Sequence, residues 1–180
     1  MNCFRGSCNV TEHDAQQPSL SSAGDGESWI GFTLAGQNYA APVARVQEVI
    51  RPQDIAPVPG APPAMRGLMN LRGRLLPVLD GRMRLALRGG VSFDDAAVRV
   101  LVFDSDGEKT GLLVEAVGEL VQIDESAVGQ PPAGRATRVH DPVRGVVRNA
   151  TGFTALLDVT RLCDPVAITG DSLNDAGGPP

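Results

Sequence analysis

From Ser28 onward the chain alternates short apolar runs with turns rich in glycine and aspartate. The first run, WIGFTLAGQNYAAPV, is apolar on either side of Ala35-Gly36-Gln37-Asn38 and predicts a strand, a turn and a second strand. Further on, VRVLVFDSDGEKTGLLVEAV repeats the plan around Asp104-Ser105-Asp106-Gly107. Asp-Gly between apolar runs is a strong hairpin signal. The glutamate and spacing of an EF-hand are missing there, so these aspartates are assigned to turn chemistry rather than to calcium.

A matching phrase follows each hairpin. Val43 to Ile50 reads VARVQEVI and Val114 to Val121 reads VEAVGELV, both V-x-x-V-x-E followed by two aliphatics. Downstream, Arg66-Gly67 precedes Leu79-Asp80 and Arg144-Gly145 precedes Leu157-Asp158, with the same interval from glycine to aspartate in both. The chain therefore carries two related β units, at about 28–90 and 97–162. Two copies are too few for a solenoid. Each copy is expected to close its own sheet and to bury one face against the other.

VARVQEVI has two readings. Val43, Val46, Val49 and Ile50 fit helical spacing, while three β-branched valines favour strand at least locally. Pro52 and Pro57 stop regular structure, and IAPVPGAPPAM reads as an extended loop. Near the end, LLDVTRLC predicts a strand followed by a short helix capped by Asp158 or Thr160. Residues 1–27 and 170–180 are polar, aperiodic and rich in small residues, and are expected to be flexible tails around an ordered region of 28–169.

Within the first unit lies MRGLMNLRGRLLPVLDGRMR, Met65 to Arg84. Gly67, Gly73, Pro77 and Gly81 would break a helix repeatedly, so it is read as a strand pair with its turn at Arg72-Gly73. Leu75 to Leu79 is the return strand. Arg74, Arg82, Arg84 and Arg88 are expected to keep an exposed edge soluble. Arg72 at the turn is placed to reach a partner carboxylate.

Charge narrows the function classes. The 180 residues carry a net charge of -5, yet Met65 to Arg88 holds six arginines against Asp80 alone. A basic patch on an acidic body suits a specific partner, whereas phosphate-backbone binding usually makes the whole domain basic. Aromatics are 4% of the chain, and the arginine-rich window has none to stack on bases, which argues against nucleic acid. Cys3, Cys8 and Cys163 form no CxxC pair and the histidines are only His13 and His140, so neither a metal nor a cofactor is expected. No stretch approaches the roughly 20 apolar residues of a membrane span. No export signal is evident, and a cytoplasmic protein with reduced thiols is expected.

The combination GLMNLRGRLLPVLD, preceded by VQEVI and followed by the second hairpin and VEAVGEL, resembles the CheW family of chemotaxis coupling proteins from about Trp29 to Cys163. Asn70-Leu71-Arg72-Gly73, with its return at Leu76 to Asp80, is the most specific piece, and Val46-Gln47-Glu48 the next. The resemblance implies a mainly β fold of two packed SH3-like five-stranded β-barrels with short helices and a C-terminal helix. It implies no catalysis and no cofactor. It also implies an adaptor between the cytoplasmic signalling tip of chemoreceptors and the regulatory domain of the histidine kinase CheA, recruited to membrane-associated arrays without inserting into the membrane. On that pattern Val46 and Gln47 belong to the kinase-binding surface. Glu48, Asn70, Leu71, Arg72 and Gly73 belong to receptor coupling, with Glu48 and Arg72 as an acidic–basic pair. Gly81 departs from the family's usual Leu and is expected to loosen the strand end.

Other functions fit less well. The long polar N-terminal segment fits a coupling protein of a non-flagellar system controlling pili or a second-messenger output. A small β-barrel hydrolase would need a nucleophile and a base. No G-x-S-x-G or P-loop is present, and the repeated Asp80 and Asp158 are expected to serve turns or caps. Neither a receiver's acidic pocket nor an ATP-binding region fits beside this domain.

Overall fold

The computed structural model describes residues 26–93, 95–131, 140–149 and 152–164. The expectations for residues 1–25 and 165–180 lie outside them. Strands β1 (Glu27–Leu34) and β2 (Gln37–Pro42) form the first hairpin, and β7 (Arg99–Ser105) and β8 (Glu108–Val114) the second. Between them run β3 (Val46–Ile50), β4 (Ile55–Ala56), β5 (Met65–Leu71), β6 (Arg74–Asp80) and helix α1 (Gly81–Arg84). After them come β9 (Ala116–Ile123), β10 (Val143–Asn149), β11 (Gly152–Leu157) and α2 (Val159–Cys163). Both readings of VARVQEVI hold in part, since a 3₁₀ turn at Val43–Arg45 leads directly into β3.

The strands form two sheets, ordered β10-β11-β2-β1-β9 and β3-β7-β8-β6-β5-β4. The expectation that each repeated unit closes its own sheet is therefore corrected, because the hairpins are exchanged. The first hairpin sits in the sheet of β9 to β11, through a parallel pairing of β2 with β11. The second sits in the sheet of β3 to β6, through a parallel pairing of β8 with β6. The apolar run of the second hairpin explains its central place. Residues Val100 to Phe103 and Thr110 to Val114 are buried on successive positions, so both faces of the ribbon need cover. The second sheet also has six strands rather than five, because Ile55 and Ala56 in the proline-rich loop pair with Met69 and Leu68.

Pairing registers carry the repeat into three dimensions. Val49 pairs with Leu101, and their counterparts in the other copy, Leu120 and Ile30, pair with each other. Val78 lies beside Gly111 and Leu156 beside Ala40. The repeated glycines Gly67 and Gly145 mark a register shift in β5 and β10. An added Cβ at Gly67 would lie 2.3 Å from the Ala56 carbonyl oxygen; at Gly145 it would lie 2.8 Å from that of Gly129. Each repeated Arg-Gly is thus where the segment after the edge strand crosses back to close the barrel.

The largest hydrophobic cluster draws on both sheets and on α2, with Phe32, Leu34, Leu79, Phe103, Leu113, Leu157 and Leu162 all buried. A smaller cluster of Trp29, Ala40, Ile123 and Leu156 fills the other face of the first sheet. Each fully buried Leu or Phe contributes about 1.5–3 kcal/mol. Asp80 caps α1 by accepting from the amides of Arg82 (3.0 Å) and Met83 (3.3 Å), and it also accepts from Val91 N at 2.9 Å. Asp158 caps α2 by accepting from Arg161 N at 3.1 Å. These bonds occupy the two aspartates structurally.

Two expectations about this region change. Arg84 is 6% exposed and donates to the carbonyls of Arg161 and Leu162, tying α1 to α2 instead of solubilising an edge. Gly81 does not loosen the strand end, because its Cα lies where a Cβ would stand 2.6 Å from the Leu113 carbonyl oxygen. Close backbone approach is what glycine permits there.

Candidate functional site

The β5–β6 connection is a two-residue turn in which Arg72 (φ 53) and Gly73 (φ 83) both take positive φ. That conformation matches the twist of the flanking strands but favours Gly, Asn or Asp at both positions. The Asn70 side-chain oxygen accepts from Gly73 N at 2.8 Å and fixes the turn from within. From this turn the Arg72 guanidinium reaches the Glu48 carboxylate on β3 at 2.9 Å. The arginine side chain is 79% exposed and the glutamate side chain 21%.

Strand β3 begins the sheet order and β5 stands near its other end, so this ion pair spans the closure of the barrel. Its energetics point away from stability as its main use. Holding a non-glycine residue at positive φ costs roughly 1–2 kcal/mol, and an exposed ion pair returns about 0.2–1 kcal/mol. The two nearly cancel. What remains is geometry: a guanidinium held at a fixed place on an exposed bend, with donors left over for a partner's acceptors.

The structure brings Glu48, Asn70, Arg72 and Gly73 together. Val46 and Leu71 are half-buried and pack against the main core. Gln47 is exposed on the other face of β3, as is Val49. Leu75, paired across the hairpin with exposed Asn70, is also exposed, and sequence reasoning did not single it out. Alternation along β6 carries the signal, because Leu76 and Val78 are buried and Leu75 lies outside their run.

The remaining arginines divide. Arg82 pairs with Glu115, which also accepts from Ala35 N at 3.0 Å. Arg66 lies over the Phe93 ring at 4.8 Å. Arg74 and Arg88 are exposed. In the second unit Arg144 pairs with Glu125 and lies over Trp29 at 5.2 Å. Asp104 accepts from Gly107 N at 2.9 Å within the second hairpin's turn. Among the described residues no group of three or more His, Cys, Asp or Glu is placed to hold a metal ion, and no helix is long and apolar enough to cross a membrane.

Comparison with known proteins bears on what this surface serves. The family model of the CheW-like domain matches residues 28–166. Chemotaxis protein CheW of Treponema pallidum is 25% identical over 135 residues, covering 74% of this chain and 79% of that protein. Protein PilI of Pseudomonas aeruginosa is 39% identical over 56 residues, 30% of this chain and 32% of that one. The crystal structure of the scaffolding protein TtCheW from Thermoanaerobacter tengcongensis superposes with a TM-score of 0.67 at 28% identity, covering 76% of this chain and 92% of that one.

Proposed function

This chain belongs to the CheW-like domain family, and we propose that it is a non-enzymatic cytoplasmic adaptor holding chemoreceptor signalling tips and a CheA-type histidine kinase in fixed relation. The observation that carries this reading is the Glu48–Arg72 pair, formed at 2.9 Å on an exposed bend by the two residues that the resemblance assigns to receptor coupling. Gln47 and the exposed part of β3 form the kinase-facing surface, with Val46 supporting that strand from its inner face. Asn70, Leu71 and Gly73 shape the turn that presents Arg72 to the receptor.

The mechanism is geometric. An adaptor transmits a signal when its contacts differ in free energy between the partner's active and inactive states. Coupling of about 1–3 kcal/mol is typical, which a few charge-assisted hydrogen bonds at one bend supply. A pull-down of the purified chain with a kinase regulatory domain and a receptor signalling tip tests the assignment. Capture of both partners supports it, and capture of neither overturns it.

A second reading keeps the fold and changes the system: coupling within a chemosensory pathway that controls pili or a second-messenger output. The 39% identity to Protein PilI favours it. Running the pull-down with kinase domains from each kind of system separates the two.

A further inference from the structure

The two barrels share their registers but differ at their mouths. In the first, Glu48 is matched by Arg72, and beneath them Ile50, Leu71, Leu76 and Val102 fill the space as part of the main core. The pairing registers place Glu119 of the second barrel at the position of Glu48, and Val121, Asn149, Thr154 and Gly31 at those of the four apolar residues. Smaller and more polar side chains thus replace the plug. The position equivalent to Arg72 is Ala150 in the sequence. A groove of about 290 Å³ opens beside Glu119, lined by Gly31, Thr33, Asn38, Asn149 and Thr154 among others. Glu119 is exposed, and no ion pair or side-chain hydrogen bond engages it among the described residues.

We infer that the mouth of the second barrel receives an arginine side chain from a loop of a partner protein, standing to Glu119 as Arg72 stands to Glu48. The groove lies just below the range of about 300–1,000 Å³ usual for sites of drug-sized ligands, which fits one long side chain better than a cofactor. A guanidinium would meet the Glu119 carboxylate with charge-assisted bonds, while its stem lies over Gly31, where no side chain intervenes. The first barrel supplies the template, because it already holds this pair in cis. The second supplies the acid and the space, with Ala150 in the sequence where the first has its base.

The test uses the isotope-labelled full chain and two peptides, acetyl-Gly-Arg-Gly-amide and acetyl-Gly-Glu-Gly-amide, followed by amide chemical shifts. The arginine peptide is expected to give saturating shifts at Gly118, Glu119, Asn149 and Thr154, and the glutamate peptide none. Glu119→Gln is expected to weaken binding by about tenfold, the effect of losing one charge-assisted hydrogen bond. Thr154→Leu, which restores the first barrel's plug, should abolish binding. Absence of shifts at these residues overturns the inference, as do equal shifts from both peptides or unchanged binding in Glu119→Gln. Chain and peptide suffice for the measurement, so its outcome is independent of kinase and receptor coupling.

Discussion

Arg72 and Glu48 meet at 2.9 Å although their strands stand far apart in the order of one sheet. The contact exists because that sheet curls until β3 and the β5–β6 turn are neighbours. A residue at positive φ, a side-chain brace from Asn70 and an ion pair all fix the same bend. The bend is thereby held open to solvent in one shape.

Because strain and ion pairing nearly cancel, Arg72→Gly should change folding stability by less than about 1 kcal/mol. Urea unfolding measures this directly. A loss of several kcal/mol would show that the pair is a structural clamp.

Arg84 is predicted to behave oppositely. Removing its bonds leaves the buried Leu162 carbonyl, and the part-buried carbonyl of Arg161, without this donor. Arg84→Met should cost about 1.5–3 kcal/mol, the scale of hydrogen bonds to a charged group. Arg88→Met, on an exposed residue of the same arginine-rich stretch, should stay within about 0.5 kcal/mol. Equal effects in the two variants would contradict this division of the arginines.

The two closure glycines make a third case. Gly67→Ala drives a methyl group into the Ala56 backbone. Overpacking of that kind costs roughly 1–3 kcal/mol, and β4 should lose amide-exchange protection as its pairing with β5 opens. Gly145→Ala should loosen the Gly129–Val146 pairing in the same way.

Hydrogen exchange on these variants would also probe what the sequence left hidden. Hairpins were legible because Ala35-Gly36, Arg72-Gly73 and Asp106-Gly107 are local turn signals between apolar runs. The caps at Asp80 and Asp158 were legible for the same reason. Hairpin exchange was not. The repeat makes the two hairpins alike, so local pattern fits either sheet, and only the non-local parallel pairings of β2 with β11 and β8 with β6 decide. At the site, Gly73 revealed the turn, whereas the inward packing of Val46 and Leu71 depends on how the sheet curls. The burial of Arg84 depends on α2 arriving from a distant part of the chain.

Cys163 gives a pH-dependent prediction. Burial pushes its thiol from 9.0 up to about 11, against the opposing pull of a hydrogen bond with Thr110 and the charge of Arg84. Folding thus favours the neutral thiol. That contribution to stability is complete below pH 9.0 and is lost as the pH rises through about 11. In a Cys3→Ser/Cys8→Ser background, the folded chain at pH 9.0 should react with iodoacetamide far more slowly than the urea-unfolded chain. Equal rates would contradict the assignment.

Receptor-controlled kinase activity in a reconstituted array, measured with Arg72→Glu beside the unsubstituted chain, tests the adaptor account most directly. Expected are an unchanged circular dichroism spectrum, a thermal midpoint lowered by no more than about 2–4 °C, and loss of receptor control over the kinase. A folded Arg72→Glu chain that couples as well as the original would contradict it.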